Sequence, residues 1–334
     1  MKIKVGYLGC GAWGICLANL LASNGHDVQI WSNNSDVLYQ VEHKKRHPKF
    51  PDIPLTSDLR TTTDFEEAVN GKDILVESVT TKGVRQILQR LNKTWIHPIP
   101  FVLTSKGIEG ETGLLLPEIA LEVLGEKNKH LIGCLTGPSL AREVMQSMPS
   151  SVVASAFDTK LMQWIQGLFS APLFRVYPNP DIMGVCFGGA MKNIIAIACG
   201  ISDGLGFGQN AKAALLTRGL HEMRKLAVLK TSHIETLNGL TGLGDLAVTC
   251  LSSLSRNYSF GKLLAEGESS QEAKEDIGMV VEGTFTCISA KELGNKHKIP
   301  LPITEAVYAI IYLGVNPLEA VKALFSREIK EEWR

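Results

Sequence analysis

The stretch Gly9-Cys10-Gly11-Ala12-Trp13-Gly14 stands almost at the N-terminus, directly after an apolar run at residues 3–8. That run predicts a buried first strand, and residues 12–23 have the composition of the helix that follows. Gly25 supplies a stop signal, and residues 28–31 predict a second strand. This order of strand, glycine-rich turn, helix and strand is typical of a dinucleotide-binding unit.

Each glycine of the turn has a distinct expected task. Gly9 would form the tight turn, Gly11 would let the backbone approach a pyrophosphate, and Gly14 would allow close packing of helix on strand. The amides at the helix start, from Ala12 and Trp13 onward, would hold the phosphate charge. The alternative is a glycine turn that binds no ligand.

The composition bounds the class of protein. With 334 residues and 45% hydrophobic content, we expect two domains with substantial cores. The 34 basic and 34 acidic side chains cancel, which argues against nucleic acid or an anionic membrane as a partner. We expect no apolar stretch near the roughly 18 residues that span a bilayer, and no signal peptide. These features favour a cytoplasmic protein without membrane insertion.

Seven cysteines are scattered along the chain without a C-x-x-C pair. This usage indicates reduced thiols and no metal site. Cys10 lies in the phosphate turn, where it is interpreted as a small filler residue, with a reactive thiolate as the alternative.

The first half alternates strands and helices, which predicts an α/β, doubly wound, mainly parallel sheet. Beyond Pro178-Asn179-Pro180 only helical stretches follow, so we place a dinucleotide-binding domain at 1–180 and an all-α substrate domain at 181–334. A capping box is predicted at residues 63–66 and a third strand from residue 73. Lys106 and the Gly137-Pro138-Ser139 turn each follow a predicted strand, at the edge where such sheets bind ligands.

Lys192 lies among small and apolar residues in a predicted helix, with Met191, Ile194, Ile195 and Ala198 on one apolar stripe. Burial of a lysine lowers its pKa and suits general acid–base catalysis, whereas a snorkelling core lysine is the alternative.

Two polar clusters follow Lys192. Asp245 ends a turn with three glycines, and taken alone it is interpreted as a helix N-cap; taken together with the other clusters it becomes a charge partner for Lys192. Ser255, Arg256 and Asn257 open a helix and suit a phosphate, or else form a solvated cap. Together, Lys192, Asp245 and residues 255–257, downstream of a nucleotide-binding fold, predict hydride transfer to or from a small phosphorylated alcohol or ketone.

In these residues the chain closely resembles the bacterial NAD(P)-dependent glycerol-3-phosphate dehydrogenases. The matching stretches run in order over nearly the whole chain: residues 9–14, 104–107, 136–139, 189–193, 202–208, 213–219, 242–246, 255–257, 281–283 and 300–303.

The resemblance implies roles for individual residues. Lys192 is similar to the family's proton acceptor and donor, and Lys106 to a residue that touches substrate and cofactor. The other implied substrate contacts are Gly137, Ser139, Asp245, Ser255, Arg256 and Asn257, and the implied supporting catalytic positions are Asn193 and Thr249. The implied cofactor contacts, beyond the glycine turn and Lys106, are Trp13, Asn33, Ala141, Arg256, Val280 and Glu282.

Two departures from the family pattern stand out. Residues 77–80 read Glu-Ser-Val-Thr where the family usually has an apolar pair followed by Val-Pro, so Glu77 and Thr80 are expected to alter packing near the nicotinamide. Asn33 lies at a position where a basic residue would indicate a preference for NADP. No acidic residue directly follows Trp31 to bind the ribose hydroxyl groups of NAD. We therefore expect NADP(H) to be accepted, with NAD(H) as the other cofactor, and we expect Lys44, Lys45 or Arg46 to reach a 2′-phosphate.

The implied activity is reversible reduction of dihydroxyacetone phosphate to sn-glycerol 3-phosphate, the precursor of glycerophospholipids. The alternatives are another two-domain dehydrogenase of the β-hydroxyacid type and a cofactor-binding redox sensor without turnover. The apolar helices of the second domain are compatible with a homodimer.

Overall fold

The computed structural model describes residues 2–56, 59–110, 112–230, 233–329 and 331–332. Its first half is an eight-stranded sheet with helices on both faces. The strands are β1 (Lys4–Leu8), β2 (Asp27–Trp31), β3 (Leu59–Thr62), β4 (Ile74–Glu77), β5 (Phe101–Leu103), β6 (Ile132–Thr136), β7 (Ser150–Ala156) and β8 (Phe174–Pro178). The helices are α1 (Ala12–Ser23), α2 (Ser35–Lys44), α3 (Phe65–Val69), α4 (Thr81–Thr94), α5 (Leu116–Leu124), α6 (Ala141–Met145) and α7 (Thr159–Phe169).

The strand order indicates at which edge of the sheet a ligand would bind. The strands lie in the order β3-β2-β1-β4-β5-β6-β7-β8, and the chain changes direction across the sheet between β1 and β4. Every neighbouring pair is parallel except β6 with β7. A crevice for a ligand forms at the carboxyl ends of the strands where such a reversal occurs. The expected doubly wound sheet is confirmed, with one antiparallel pair.

Two elements at the β3 edge were missing from the sequence prediction. α2 has only Leu38 and Val41 buried, and β3 pairs with β2 alone. Both segments were missed because short, largely polar segments give a weak periodic signal. Since β3 precedes it, the strand at 74–77, which the sequence predicted as the third, is the fourth. The capping box was also wrong, because Asp64 caps α3 by accepting from the amides of Glu66 and Glu67.

The described residues beyond Pro178 form helices and turns without a further strand. The helices are α8 (Ile182–Gly204), α9 (Gln209–Ala227), α10 (Asp245–Leu251), α11 (Arg256–Glu266), α12 (Ser270–Ile277), α13 (Glu282–His297), α14 (Pro302–Leu313) and α15 (Pro317–Phe325). A 3₁₀ turn at Ile234–Asn238 and a π-helical turn at Leu240–Gly244 precede α10.

α8 is the central helix of this half and packs against α9, α10, α11, α13 and α14. It is buried around most of its circumference, so the predicted single apolar stripe was too narrow. The helix is also long and apolar enough to cross a membrane, with 94% of the relevant segment buried inside the protein. The expectation of no such stretch was wrong, because the many apolar residues outweigh Lys192 in the average. Its burial is that of a core helix.

Glu222 connects two helices of this half through a buried carboxyl group. It extends from α9 and accepts hydrogen bonds from the amides of Ile303 and Thr304, at 2.5 and 3.1 Å, at the start of α14. Burial raises the pKa of Glu222 to about 7, although the hydrogen bonds from Ile303 and Thr304 oppose that shift. The carboxyl group therefore titrates near neutral pH.

We predict that this raised pKa makes stability depend on pH. Below the ordinary pKa of a glutamate, both folded and unfolded chains hold the proton; as pH rises toward 7, the unfolded chain releases it first and the native state loses stability. The wild type should lose free energy of unfolding relative to Glu222→Gln between about pH 5 and about pH 8. Urea unfolding of both proteins measures this difference. A difference that stays constant across this range would contradict the prediction.

Candidate active site

Lys106 lies just beyond β5, at the carboxyl edge of the sheet, and its amine is fully engaged. Nζ donates to the carbonyl oxygen of Gly137 at 2.8 Å, to Ser139 Oγ at 3.0 Å and to Asp245 Oδ2 at 2.6 Å. An ammonium group has three N–H donors, so these three bonds use all of them. The predicted edge residues therefore meet in one cluster.

Lys192 reaches the same aspartate from α8. Its Nζ donates to Asp245 Oδ1 and to Thr249 Oγ1, at 2.6 and 2.7 Å, and the residue is 7% exposed. The predicted pairing of Lys192 with Asp245 is confirmed. Within the described part of the chain these two bonds use two of three donors, which leaves one N–H for a further acceptor.

Asp245 is the first residue of α10 and is completely buried. Its two carboxylate oxygens take one lysine each, so the side chain bridges two cations and does not cap the helix. The Thr249 hydroxyl donates to the backbone carbonyl oxygen of Asp245 at 2.6 Å. This bond orients Thr249 Oγ1 so that it can accept from Lys192. A buried carboxylate paired on both oxygens is a rigid anchor for both amines.

The surroundings change the proton affinity of Lys106. Burial lowers its pKa to about 8, and the nearby positive charge of Lys192 acts in the same direction, whereas Asp245 opposes the shift. The amine therefore loses its proton closer to neutral pH than an exposed lysine does.

A second set of contacts joins α8 to the start of α11. Asn257 Nδ2 donates to Asn193 Oδ1 at 3.0 Å, and Asn257 Oδ1 accepts from the Gly283 amide at 2.8 Å. Ser255 caps α11 by accepting from the Tyr258 amide at 3.3 Å. The Ser255 hydroxyl thus serves as a cap, and Asn257 is fixed beside the residue that follows Lys192.

Arg256 lies at the first turn of α11 and is exposed. One guanidinium nitrogen donates to the carbonyl oxygen of Val280 at 3.0 Å. Glu282 accepts from the Thr81 amide at 3.3 Å, and burial raises its pKa while Arg256 opposes the rise. Three of the expected cofactor contacts, Arg256, Val280 and Glu282, therefore lie together near the start of α4.

The N-terminal glycine turn has the geometry expected of a nucleotide cradle. Gly9 has φ of +116°, and a Cβ there would lie 2.4 Å from the carbonyl oxygen of Ser78, in the loop after β4. A Cβ on Gly14 would lie 2.5 Å from the carbonyl oxygen of Gly9, so close packing requires glycine. A Cβ on Gly11 would meet nothing within 4 Å, and no side chain caps α1 at this residue. The start of α1 thus leaves space and backbone amides for a phosphate.

The remaining predicted cofactor residues are positioned by the same edge. Asn33 is exposed two residues after β2, and Ala141 opens α6. Of the basic residues expected near a 2′-phosphate, Arg46 donates to the carbonyl oxygen of Pro51 at 2.6 Å. Burial raises the pKa of Cys10 to about 12, which favours the filler interpretation over a reactive thiolate.

Two connecting residues were missed from the sequence. His47 Nε2 lies 3.0 Å from the carbonyl oxygen of Cys10, and so connects the segment after α2 to the glycine turn. Ser105, beside Lys106, contacts the buried carboxyl group of Glu77 at 2.9 Å. Ser105 could have been found through Glu77, because an acid at the end of an apolar strand needs a hydrogen-bond donor. Nothing in the sequence near His47 indicated its contact.

Comparison with known proteins identifies the family. The sequence-family model for the N-terminus of NAD-dependent glycerol-3-phosphate dehydrogenases matches residues 4–162. The family model for the C-terminus of the same enzymes matches residues 181–322. A Chlamydia felis protein named glycerol-3-phosphate dehydrogenase [NAD(P)+] is 52% identical over 333 residues, covering 100% of both chains. The chain belongs to the NAD-dependent glycerol-3-phosphate dehydrogenase family.

Other members of the glycerol-3-phosphate dehydrogenase family agree with this assignment. The Protochlamydia amoebophila protein of the same name is 52% identical over 329 residues, covering 98% of this chain and 99% of its own. The crystal structure of glycerol-3-phosphate dehydrogenase from Coxiella burnetii has a TM-score of 0.91 and 34% identity, covering 98% of this chain and 99% of that one. The similarity therefore extends over both halves of the fold.

We predict that two glycines of the cradle respond differently to a methyl group. Gly9→Ala combines a positive φ with a backbone clash and should destabilise the fold by about 2 kcal/mol or more. Gly11→Ala has open space and should change stability by less than about 0.5 kcal/mol, yet weaken NAD(P)H binding about tenfold because the methyl group faces the phosphate space. Thermal unfolding and fluorescence titration with NAD(P)H measure the two effects. Unchanged cofactor affinity of Gly11→Ala would argue against the cradle.

Proposed function

We propose that this chain catalyses the reversible NAD(P)H-dependent reduction of dihydroxyacetone phosphate to sn-glycerol 3-phosphate. The observation that carries the proposal is the pair of lysine amines held by the single carboxylate of Asp245. The proposal also rests on family membership and on the names of the relatives.

The count of hydrogen-bond donors supports different tasks for the two amines. Lys106 uses all three donors within the protein, whereas Lys192 keeps one N–H beyond its bonds to Asp245 and Thr249. Lys192 would donate that proton to the carbonyl oxygen of the substrate during reduction, and its neutral amine would take the proton from the alcohol in the reverse direction. Lys106 would keep the pocket positive and hold the 137–139 turn in place.

The start of α11 would hold the substrate phosphate. Arg256 donates one N–H to Val280, and the other donors of its planar fork suit a phosphate. Asn257 is fixed by Asn193 and Gly283, which would keep its amide at a constant position beside that phosphate. A substrate held at this end would present its carbonyl group to Lys192 in a defined orientation.

The glycine turn would hold the dinucleotide. The open space at Gly11 and the uncapped start of α1 fit a pyrophosphate, and Glu282 and Arg256 lie on the helical side of the crevice. When bound, NAD(P)H supplies the hydride. The exposed Asn33 presents no negative charge to a 2′-phosphate, which is the basis for proposing that NADP(H) as well as NAD(H) is accepted.

The proposal includes a cellular setting. Reduction would supply glycerol 3-phosphate for glycerophospholipid synthesis in the cytoplasm, and the chain would act as a homodimer without membrane insertion. Residues 1–180 and 181–334 would form the nucleotide and substrate domains. The burial of α8, the apolar helix, supports the part of this proposal that concerns the membrane.

The direct test follows the loss of NADH or NADPH absorbance by the purified protein after addition of dihydroxyacetone phosphate. Oxidation that depends on this substrate supports the proposal. Absence of turnover with both cofactors would reject it, and turnover only with a β-hydroxyacid and NAD(P)+ would favour the other dehydrogenase type.

We predict that Lys192→Met removes most turnover. Methionine keeps the apolar stem but removes the proton donor, so kcat should fall by about a hundredfold or more. Asp245 keeps its contact with Lys106 in this variant, and NAD(P)H affinity should therefore stay near that of the wild type. Steady-state kinetics and a cofactor titration test both parts; near-normal kcat would reject the assigned role.

We predict that activity falls on the alkaline side because of Lys106. Its pKa of about 8 means that the ammonium loses its proton as pH rises through this value, which removes a donor from the 137–139 turn and positive charge from the pocket. kcat/KM for dihydroxyacetone phosphate should therefore decline above about pH 8. Rates from pH-jump assays separate this titration from slow inactivation. A flat profile well beyond that pH would contradict the assignment.

A further inference from the structure

Glu77 is the last residue of β4, and its side chain is completely buried at the crevice edge of the sheet. Three hydrogen-bond donors surround its carboxyl group. The Val79 amide lies 3.0 Å from Oε2, the Ser105 amide 3.3 Å from Oε1, and the Ser105 hydroxyl 2.9 Å from Oε2. One side chain thus joins the end of β4 to the loop after β5.

The Ser105 hydroxyl makes the connection tighter. It also lies 2.6 Å from the carbonyl oxygen of Val79, so its single proton is shared between Val79 and Glu77, and Ser105 contacts both Glu77 and the loop that Glu77 holds. Burial raises the pKa of Glu77, while the hydrogen bonds from Val79 and Ser105 act in the opposite direction. Such a buried acid is retained at a cost in desolvation and needs these donors.

The loop at 78–81 touches three parts of the proposed site. The carbonyl oxygen of Ser78 packs against Gly9 of the nucleotide cradle. The Thr81 hydroxyl donates to the carbonyl oxygen of Lys106 at 3.3 Å, and the Thr81 amide donates to Glu282. Displacement of this loop would therefore be transmitted to the backbone of Lys106.

We propose that Glu77 is a positioning residue, which ties the 78–81 loop to Ser105 and thereby fixes where the Lys106 amine lies. This inference rests on the proposed function for its kinetic consequence only. Glu77 acts through Ser105 and the loop, because its hydrogen bonds go to Val79 and Ser105 and the Lys106 amine bonds to Gly137, Ser139 and Asp245. This assigns a role to Glu77, which departs from the family pattern.

The variants are chosen to remove individual contacts. Glu77→Gln keeps the size of the side chain but replaces one acceptor oxygen by a donor, so it cannot accept from the Val79 and Ser105 amides on separate oxygens. Ser105→Ala removes the hydroxyl from the other side of the same contact. The double variant tests whether the two residues act as a unit. Glu222→Gln is the matched control, because Glu222 is likewise a buried carboxyl group that accepts from backbone amides, in the helical half.

The first measurement is independent of turnover. Brief acetylation of the full chain at several pH values, followed by peptide mass spectrometry, gives the labelling rate of each lysine per neutral amine, since only the neutral amine reacts. We expect Lys106 to label about tenfold faster in Glu77→Gln than in wild type, the factor expected for one lost hydrogen bond in a buried network. Lys230, an internal reference held by Glu118 at 2.7 and 2.8 Å, should label at an unchanged rate. Glu222→Gln should leave the Lys106 rate as it is.

The second measurement separates positioning from general stability. In Glu77→Gln, kcat for dihydroxyacetone phosphate should fall about tenfold and the alkaline limb of kcat/KM should move to higher pH, because a looser Lys106 is better solvated. Adding Ser105→Ala should cause little further loss. Should Glu77→Gln fail to fold, Ser105→Ala must show the faster labelling and the moved limb by itself.

Equal labelling of Lys106 in wild type and in every folded variant of this pair, or a wild-type alkaline limb in them, overturns the proposal. Absence of turnover in the wild type would instead reject the proposed function, and the labelling rates would still decide the role of Glu77.

Discussion

The carboxylate of Asp245, shared by Lys106 and Lys192, is the interaction on which the rest of the site depends. One lysine comes from the edge of the sheet, and the other lies on the central helix of the second half. Removing either cation would leave a buried carboxylate with one oxygen unpaired, and removing the carboxylate would leave two like charges facing each other. The pair also links the edge of the sheet to α8, so the site is complete only where the two halves of the chain meet.

Much of the fold could be predicted because strong local signals agree with the tertiary structure. The glycine turn, α1 and the apolar strands have a pattern that the sheet topology requires, and the change near residue 180 coincides with the last strand and the start of α8. β3 and α2 were missed because they bury few side chains, and their stability comes from pairing and caps. α8 is apolar on most sides, so a single-stripe pattern could not describe a helix enclosed by five others.

The contact between Lys192 and Asp245 could be predicted from chemistry, since a buried lysine needs an acid. The second contact of Asp245, with Lys106, could not be predicted in this way. Lys106 is 139 residues away in sequence, and only the sheet topology brings it close to Asp245. Glu77 is similar: the sequence marked it as unusual, but its partners lie on two loops that meet at the carboxyl ends of β4 and β5. Residues that meet across long separations carry no local periodicity, and their meeting depends on the strand order.

The position of Lys192 has a consequence during synthesis of the chain. α8 has the length and apolar character of a membrane-spanning segment, and before it packs it would present that apolar surface outside the fold. A lysine near the middle of such a helix adds roughly 3 kcal/mol to the free energy of insertion. The amine to which the proposed chemistry assigns the proton transfer therefore also disfavours insertion of the helix that carries it, and an apolar substitution of Lys192 would remove both properties.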